Sequence, residues 1–192
     1  MLEAAKYGIC VHLRTVEQDL KEKKAQIAGL ARVQKWCGLR DRTERELREK
    51  MREVMGNMAV PLTPGKAEDL AEKWMTILKE AKYVDDARCA ESYTRVHHEH
   101  KRWGPLKIRA GLASRGIQGT LADRAIQTIS EAQWQASANR LLAKRAMELE
   151  KHRDRVVRWL MQRGFPQRMV WTALDDLAKA DLDTGENRGG DS

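Results

Sequence analysis

Apolar residues recur along most of this chain at helical spacing, with no stretch of strand-like alternation. From Thr15 onward, Val16, Leu20, Ile27, Leu30 and Ala31 fall near one face, separated by Lys and Glu, as expected of a helix half-buried on a core. A charged helix follows over 41–55, with Leu47, Met51 and Val54/Met55 on its apolar side. Residues 57–65 read as a loop, and Thr63 before Pro64 reads as an N-cap followed by a first-turn proline. The next helix carries Leu70, Ala71, Trp74, Ile77, Leu78 and Ala81. Residues 1–14 show no clear period.

Beyond residue 83 the pattern repeats itself. Tyr83-Val84-Asp85-Asp86 starts a helix: Asp85 is placed to cap free N–H groups, Asp86 lies at the positive end of the dipole, and Val84 and Cys89 have the spacing of a hydrophobic staple. Trp103-Gly104-Pro105 stops that helix and opens another, with Ile108 and Leu112 inward and Gly116 at its C′ position. A third helix, over 120–130, buries Leu121, Ala122, Ala125, Ile126 and Ile129. Helices over 136–149 and 152–163 follow. Arg163-Gly164-Phe165 then matches Arg115-Gly116-Ile117, and Met169, Val170, Ala173, Leu174 and Leu177 match the third helix, all at an offset of 48 residues. A shared offset across two helices and their joining glycine indicates tandem helical units. Leu47 and Met51 form a weaker copy of Ile108 and Leu112 at an offset of 61, with no glycine at the matching place. The expectation is an all-α protein, an elongated array of three tandem three-helix repeats with the first degraded. Its parts are an N-terminal, partly helical extension (1–35), repeat 1 (36–82), repeat 2 (83–131), repeat 3 (132–179) and a disordered tail (180–192).

Charge changes this picture only by its distribution. The formal net charge is +8, which by itself describes many solvated helical proteins. Between Arg95 and Arg168, however, sixteen Lys and Arg face six Asp and Glu, leaving twenty against twenty-two elsewhere. The positive excess therefore sits in the second half. Lys101, Arg102, Lys107, Arg109 and Arg115 cluster around one short helix, and Lys151, Arg153, Arg155, Arg158 and Arg163 surround its copy. A repeated basic helix can present a positive stripe to phosphates or to an acidic protein groove. Of the six Trp, Trp74 and Trp159 lie beside apolar helix positions and are expected in the core.

Candidate catalytic chemistry is sparse. His97-His98-Glu99-His100 includes an i, i+3 histidine pair but no second ligand pair at metal spacing, so it reads as a helix face near a C-terminus. Asp85-Asp86 reads as capping rather than paired-carboxylate chemistry. Cys10, Cys37 and Cys89 are scattered, without CxxC spacing or a neighbouring His, as in reduced intracellular thiols. There is no Walker loop, GxGxxG or GxSxG. No apolar run reaches membrane-spanning length, and the first residues lack a signal-peptide pattern. A non-enzymatic, cytoplasmic protein without cofactor or metal is the expectation.

Tyr83-Val84-Asp85-Asp86-Ala87-Arg88-Cys89-Ala90-Glu91-Ser92-Tyr93, then Trp103-Gly104-Pro105-Leu106-Lys107-Ile108 and Leu112-Ala113-Ser114-Arg115-Gly116-Ile117, resemble the RecX regulatory protein family. The stretch 42–51 is similar to that family's first-repeat helix, and Arg158-Trp159-Leu160-Met161-Gln162-Arg163-Gly164-Phe165 to its third-repeat ending. The chain itself is expected to be a monomer. The resemblance implies binding to the RecA recombinase, chiefly its filament on single-stranded DNA. It also implies restraint of ATP hydrolysis, strand exchange and the co-protease activity behind the SOS response. The ten basic residues named above are the expected contacts with the filament groove or its DNA. Two other classes stay open on residues alone: a helix-turn-helix-type DNA-binding transcriptional regulator, because short helices ending in glycine occur there too, and a purely structural helical-repeat scaffold.

Overall fold

The computed structural model describes residues 2–186, with side chains described from residue 16 to residue 180. Nine helices make up the described residues: α1 (Leu2–Cys37), α2 (Glu44–Gly56), α3 (Pro64–Glu80), α4 (Asp86–Glu99), α5 (Pro105–Ser114), α6 (Gly119–Gln127), α7 (Glu131–Ala143), α8 (Ala146–Gln162) and α9 (Gln167–Glu186). They divide into two compact units, residues 1–86 and 87–192. The tail expected over 180–192 begins inside α9, and residues 187–192 lie outside the described residues.

The first unit packs α1, α2 and α3 around Val33, Leu47, Met51, Trp74, Met75 and Leu78. The α2 helix begins three residues later than its apolar period suggests because its start is fixed by polar groups. Thr43 Oγ1 accepts from Glu46 N and Glu46 Oε2 accepts from Thr43 N, a reciprocal capping box. Asp86 Oδ1 accepts from Glu44 N at 2.8 Å. The aspartate pair is thus partly engaged in holding α2, besides opening α4. Thr63 precedes Pro64 as expected, although its side chain makes no capping bond.

One expectation about α1 is corrected. Val16, Leu20 and Ile27 do share a face, but that face is not on the core: they are 43%, 52% and 70% exposed. The core takes Gly29, Val33 and Cys37 instead, with Leu30 and Trp36 partly buried. Gly29 is selected by contact, since a Cβ there would lie 2.6 Å from the indole of Trp74. With α4 starting at Asp86, Val84 and Cys89 have the expected N′ and N4 spacing; Val84 is buried in the first unit's core and Cys89 in the second's.

The second unit holds two three-helix sets, α4–α6 and α7–α9, around Ile108, Leu112, Ile117, Trp134, Leu142, Leu160, Phe165 and Val170. The 48-residue offset has a structural meaning at the ends of α5 and α8. Gly116 (φ 87°) and Gly164 (φ 91°) both stand in the left-handed region. Ile117 N donates to Leu112 O and Gly116 N to Ala113 O. Phe165 N donates to Leu160 O and Gly164 N to Met161 O. Each is a Schellman ending whose flanking apolar pair is fully buried. The stretch over 136–163 departs from the expected helix boundaries. Ser130 caps α7 through a box with Gln133, and α8 starts at Ala146 but is broken at His152 (φ −142°, ψ 53°). The helix expected from residue 152 is the part of α8 after that break.

The two sets are joined backbone to backbone. Gly104 N donates to Arg163 O at 2.7 Å and Leu106 N to Gly164 O at 3.0 Å, so the carbonyls ending α8 satisfy free N–H groups at the start of α5. The negative end of one helix meets the positive end of the other. No side chain fits between them. A Cβ on Gly104 would strike the Gly164 carbonyl and lie 2.6 Å from Phe165 N, and one on Gly164 would lie 2.9 Å from Lys107 Cα.

Candidate functional site

The ten basic residues all lie in the second unit, and the structure gives them different surroundings. Lys107 and Arg115 end a run of stacked rings. Arg115 lies 4.7 Å over Tyr93, Tyr93 stacks on His97 at 3.7 Å, His97 meets Trp103 at 4.6 Å, and the Lys107 ammonium lies 4.7 Å over Trp103. Each cation sits on the electron-rich face of a ring, so the terminal charges of this run are held in place. Gly111 makes the arrangement possible, because a Cβ there would come within 2.9 Å of Tyr93 Cζ. Burial holds the Tyr93 phenol above its ordinary pKa, against the opposing influence of Arg115, so the ring remains neutral.

A second assembly lies on α8. Trp159 is flanked by Arg145 at 3.9 Å and Arg163 at 4.7 Å. Arg163 Nη1 also donates to Lys101 O at 2.9 Å, which ties the end of α4 to the turn after α8. This contact gives Arg163 a packing role within the unit. Arg109 is paired with Asp123, and Arg155 lies 3.6 Å from Glu148. Lys101, Arg102, Lys151 and Arg158 are exposed and outside the ion pairs of the described residues. The helical step separates some neighbours in sequence: Lys107 and Arg109, two residues apart, point to different sides of α5, whereas Arg155 and Arg158 share a side of α8.

Three features were not singled out from sequence. Arg145 joins the Trp159 assembly, the Tyr93–His97–Trp103 run links two basic positions, and Trp171 is 42% exposed with Arg153 5.8 Å from its ring centre. For Trp171 a signal was present: it falls off the face defined by Met169, Val170, Ala173 and Leu174, which are buried. An exposed indole beside a guanidinium offers a platform on which a nucleic-acid base can stack. Trp74 is buried as expected, while Trp159 is only half-buried.

The remaining candidates are accounted for by packing. His97 Nδ1 lies 2.8 Å from Tyr93 O, and His98 Nε2 lies 2.8 Å from Ser137 Oγ with its ring edge-on to Trp134. Among the described residues no group of three or more His, Cys, Asp or Glu is placed to hold a metal ion. Cys37 and Cys89 are buried. Burial raises the Cys37 pKa, opposed by Arg42, so the thiol stays protonated. No described helix is long and apolar enough to cross a membrane.

His98 carries a pH consequence. Burial first, then the nearby charges of Arg102 and Arg140, hold its pKa below the ordinary 6.5, against an opposing pull from Glu99. The folded state therefore prefers the neutral ring. Its contribution is complete above the unfolded value and is lost as pH falls from about 6.5 through the lower folded value. Urea titrations at pH 7.5 and 5.5 are expected to show lower stability at the acidic value, and His98→Gln is expected to reduce that difference. An equal difference in the variant would remove His98 as its source.

Comparison with known proteins places these features in a family. The profile of the second three-helix domain of RecX matches residues 85–126, the segment holding α4, α5 and most of α6. The regulatory protein RecX of Cronobacter sakazakii is 31% identical over 140 residues, covering 71% of this chain and 84% of that protein. That of Clostridium acetobutylicum is 25% identical over 171 residues, covering 84% of this chain and 72% of that one. The crystal structure of RecX from Lactobacillus salivarius shares the fold, with a TM-score of 0.70 at 20% identity over 81% of this chain and 98% of its own. With the helical sets, their glycine endings and these relatives in agreement, the chain belongs to the RecX regulatory protein family.

Proposed function

We propose that this protein binds the RecA recombinase and its filament on single-stranded DNA, and thereby restrains ATP hydrolysis, strand exchange and SOS co-protease activity. It acts without catalysis of its own, in the cytoplasm. The observation that carries this reading is family membership, through relatives named as regulatory proteins. The second unit supports it: the exposed Arg153 and the half-buried Lys107 and Arg115 stand beside aromatic rings, a combination suited to a phosphate backbone and unstacked bases. The filament groove or its DNA meets Lys101, Arg102, Lys107, Arg109, Arg115, Lys151, Arg153, Arg155 and Arg158, with Arg163 completing the basic set from its place in the turn.

The direct experiment measures RecA's single-strand-dependent ATPase and strand exchange with increasing amounts of this protein. Both rates are expected to fall at stoichiometric ratios to RecA. Unchanged rates at those ratios would sink the proposal. Sequence-specific retardation of duplex DNA in the absence of RecA would instead favour a helix-turn-helix regulator.

A further inference from the structure

We infer that Trp171 on α9 stacks on a base of single-stranded DNA, so that the third three-helix set holds the strand by base as well as by phosphate. This deepens the proposed function and rests on its reading of the partner as a single-strand filament. All six tryptophans lie within the described side chains, and Trp171 alone among them is exposed. Trp74 and Trp134 are buried. The half-buried rings already have close neighbours: Trp36 has Arg42 at 3.8 Å, Trp103 has Lys107 and His97, and Trp159 has Arg145 and Arg163. Arg153 stands 5.8 Å from the Trp171 ring centre, within attraction but not packed on the ring as Arg145 is on Trp159 at 3.9 Å.

The internal repeat shows that packing does not require an indole at this position. At the 48-residue offset Met169, Val170, Ala173 and Leu174 correspond to Leu121, Ala122, Ala125 and Ile126, and both groups pack in the second unit's core. Trp171 corresponds to Asp123, which forms an ion pair with Arg109. Arg153 corresponds to Pro105, the first residue of α5. The second set therefore closes this position with an ion pair, whereas the third presents a cation and an open ring from the corresponding helices. Lys151 and Arg153 are exposed and outside the ion pairs of the described residues, so they attract the phosphate adjoining a base on the ring. Asp175 is exposed one turn further along the same side of α9, and its repulsion sets that phosphate toward Arg153. A single strand offers its bases to an aromatic face directly, while a duplex must first unstack them at a cost.

Fluorescence anisotropy of a labelled oligothymidylate with the full chain, in the absence of RecA, tests this against an abasic strand of equal length and charge. The strand with bases is expected to bind roughly 5- to 150-fold more tightly, the range for one base on an aromatic ring. Trp171→Ala removes that preference and leaves the salt slope unchanged for both strands, because the phosphate contacts remain. Trp171→Phe keeps part of the preference. Equal affinity of the parent for the two strands, or a preference that survives Trp171→Ala, would overturn the stacking role. If Trp171→Ala then weakens only the attachment to the RecA filament, the ring contacts protein instead of a base. Restraint of RecA's ATPase by the parent is read separately. Its absence removes the proposed partner, while the comparison of the two strands still decides the role of the ring.

Discussion

Gly164→Ala is expected to cost about 3–4 kcal/mol, with Gly104→Ala costing about 2–3 kcal/mol and Gly119→Ala only about 1 kcal/mol. The ranking follows from two separable effects. Gly164 stands at φ 91°, where a Cβ meets its own carbonyl, and its added Cβ would also press on the backbone of Lys107. Gly104 has an ordinary φ of −82°, so its substitution tests only the steric contact with Gly164 and Phe165. Gly119 has φ 59° but open space around it, so its substitution tests only the backbone conformation. Backbone atoms on both sides of the Gly104–Gly164 contact cannot rotate away as a side-chain tip can. A domain holds about 5–15 kcal/mol in total, so the first substitution removes a large share. Urea unfolding followed by circular dichroism measures all three. Equal costs for Gly104→Ala and Gly119→Ala would mean that the contact relaxes freely.

The second large effect concerns binding. Simultaneous replacement of Lys101, Arg102, Lys151 and Arg158 by Ala is expected to weaken attachment to the RecA–single-strand filament by several hundredfold at about 0.1 M salt. Each phosphate neutralised on a single strand contributes a salt slope of about 0.7, or roughly fivefold in affinity at that concentration relative to 1 M. Four lost contacts also flatten the slope by about 3. Arg109→Ala and Arg155→Ala provide the contrast. Asp123 and Glu148 already compensate these charges, so each change is expected to alter affinity by about twofold or less. Fluorescence anisotropy of a labelled filament across a salt series reads both quantities. A quadruple variant with the parent's slope would exclude these residues from phosphate contact.

The helical class and the repeated glycine endings were legible because they rest on local rules. Periodicity selected Leu47, Met51, Ile108, Leu112, Leu160 and Val170, all of which are buried, and the αL requirement marked Gly116 and Gly164. Start positions were less legible where side chains compete for backbone groups. Thr43 with Glu46 and Ser130 with Gln133 set the beginnings of α2 and α7, overriding where the apolar pattern began. Face assignment on α1 failed for another reason. A helix with two apolar faces has no unique inward side, and the steric fit of Gly29 against Trp74 decides between them. Charge counting located the basic half, but it could not separate Arg109, held by Asp123, from Lys101, exposed at the end of α4. That distinction depends on residues brought close by folding. The ring run from Tyr93 to Trp103 was hidden similarly, since its terminal cations come from another helix.

The clasp between Gly104 and the turn at Gly164 also bears on the order of folding. Solenoid repeats ordinarily form by nearest-neighbour growth, so that each can complete once its predecessor is present. Here the first amides of α5 find their acceptors only after the chain has continued through Arg163 and Gly164. A nascent chain released up to the end of α6 therefore contains a complete three-helix sequence with an unsatisfied helix start. Closure over this long loop raises contact order and slows the committing step. The second unit is consequently expected to acquire protease resistance in one late step during synthesis, after the α8–α9 turn has left the ribosome.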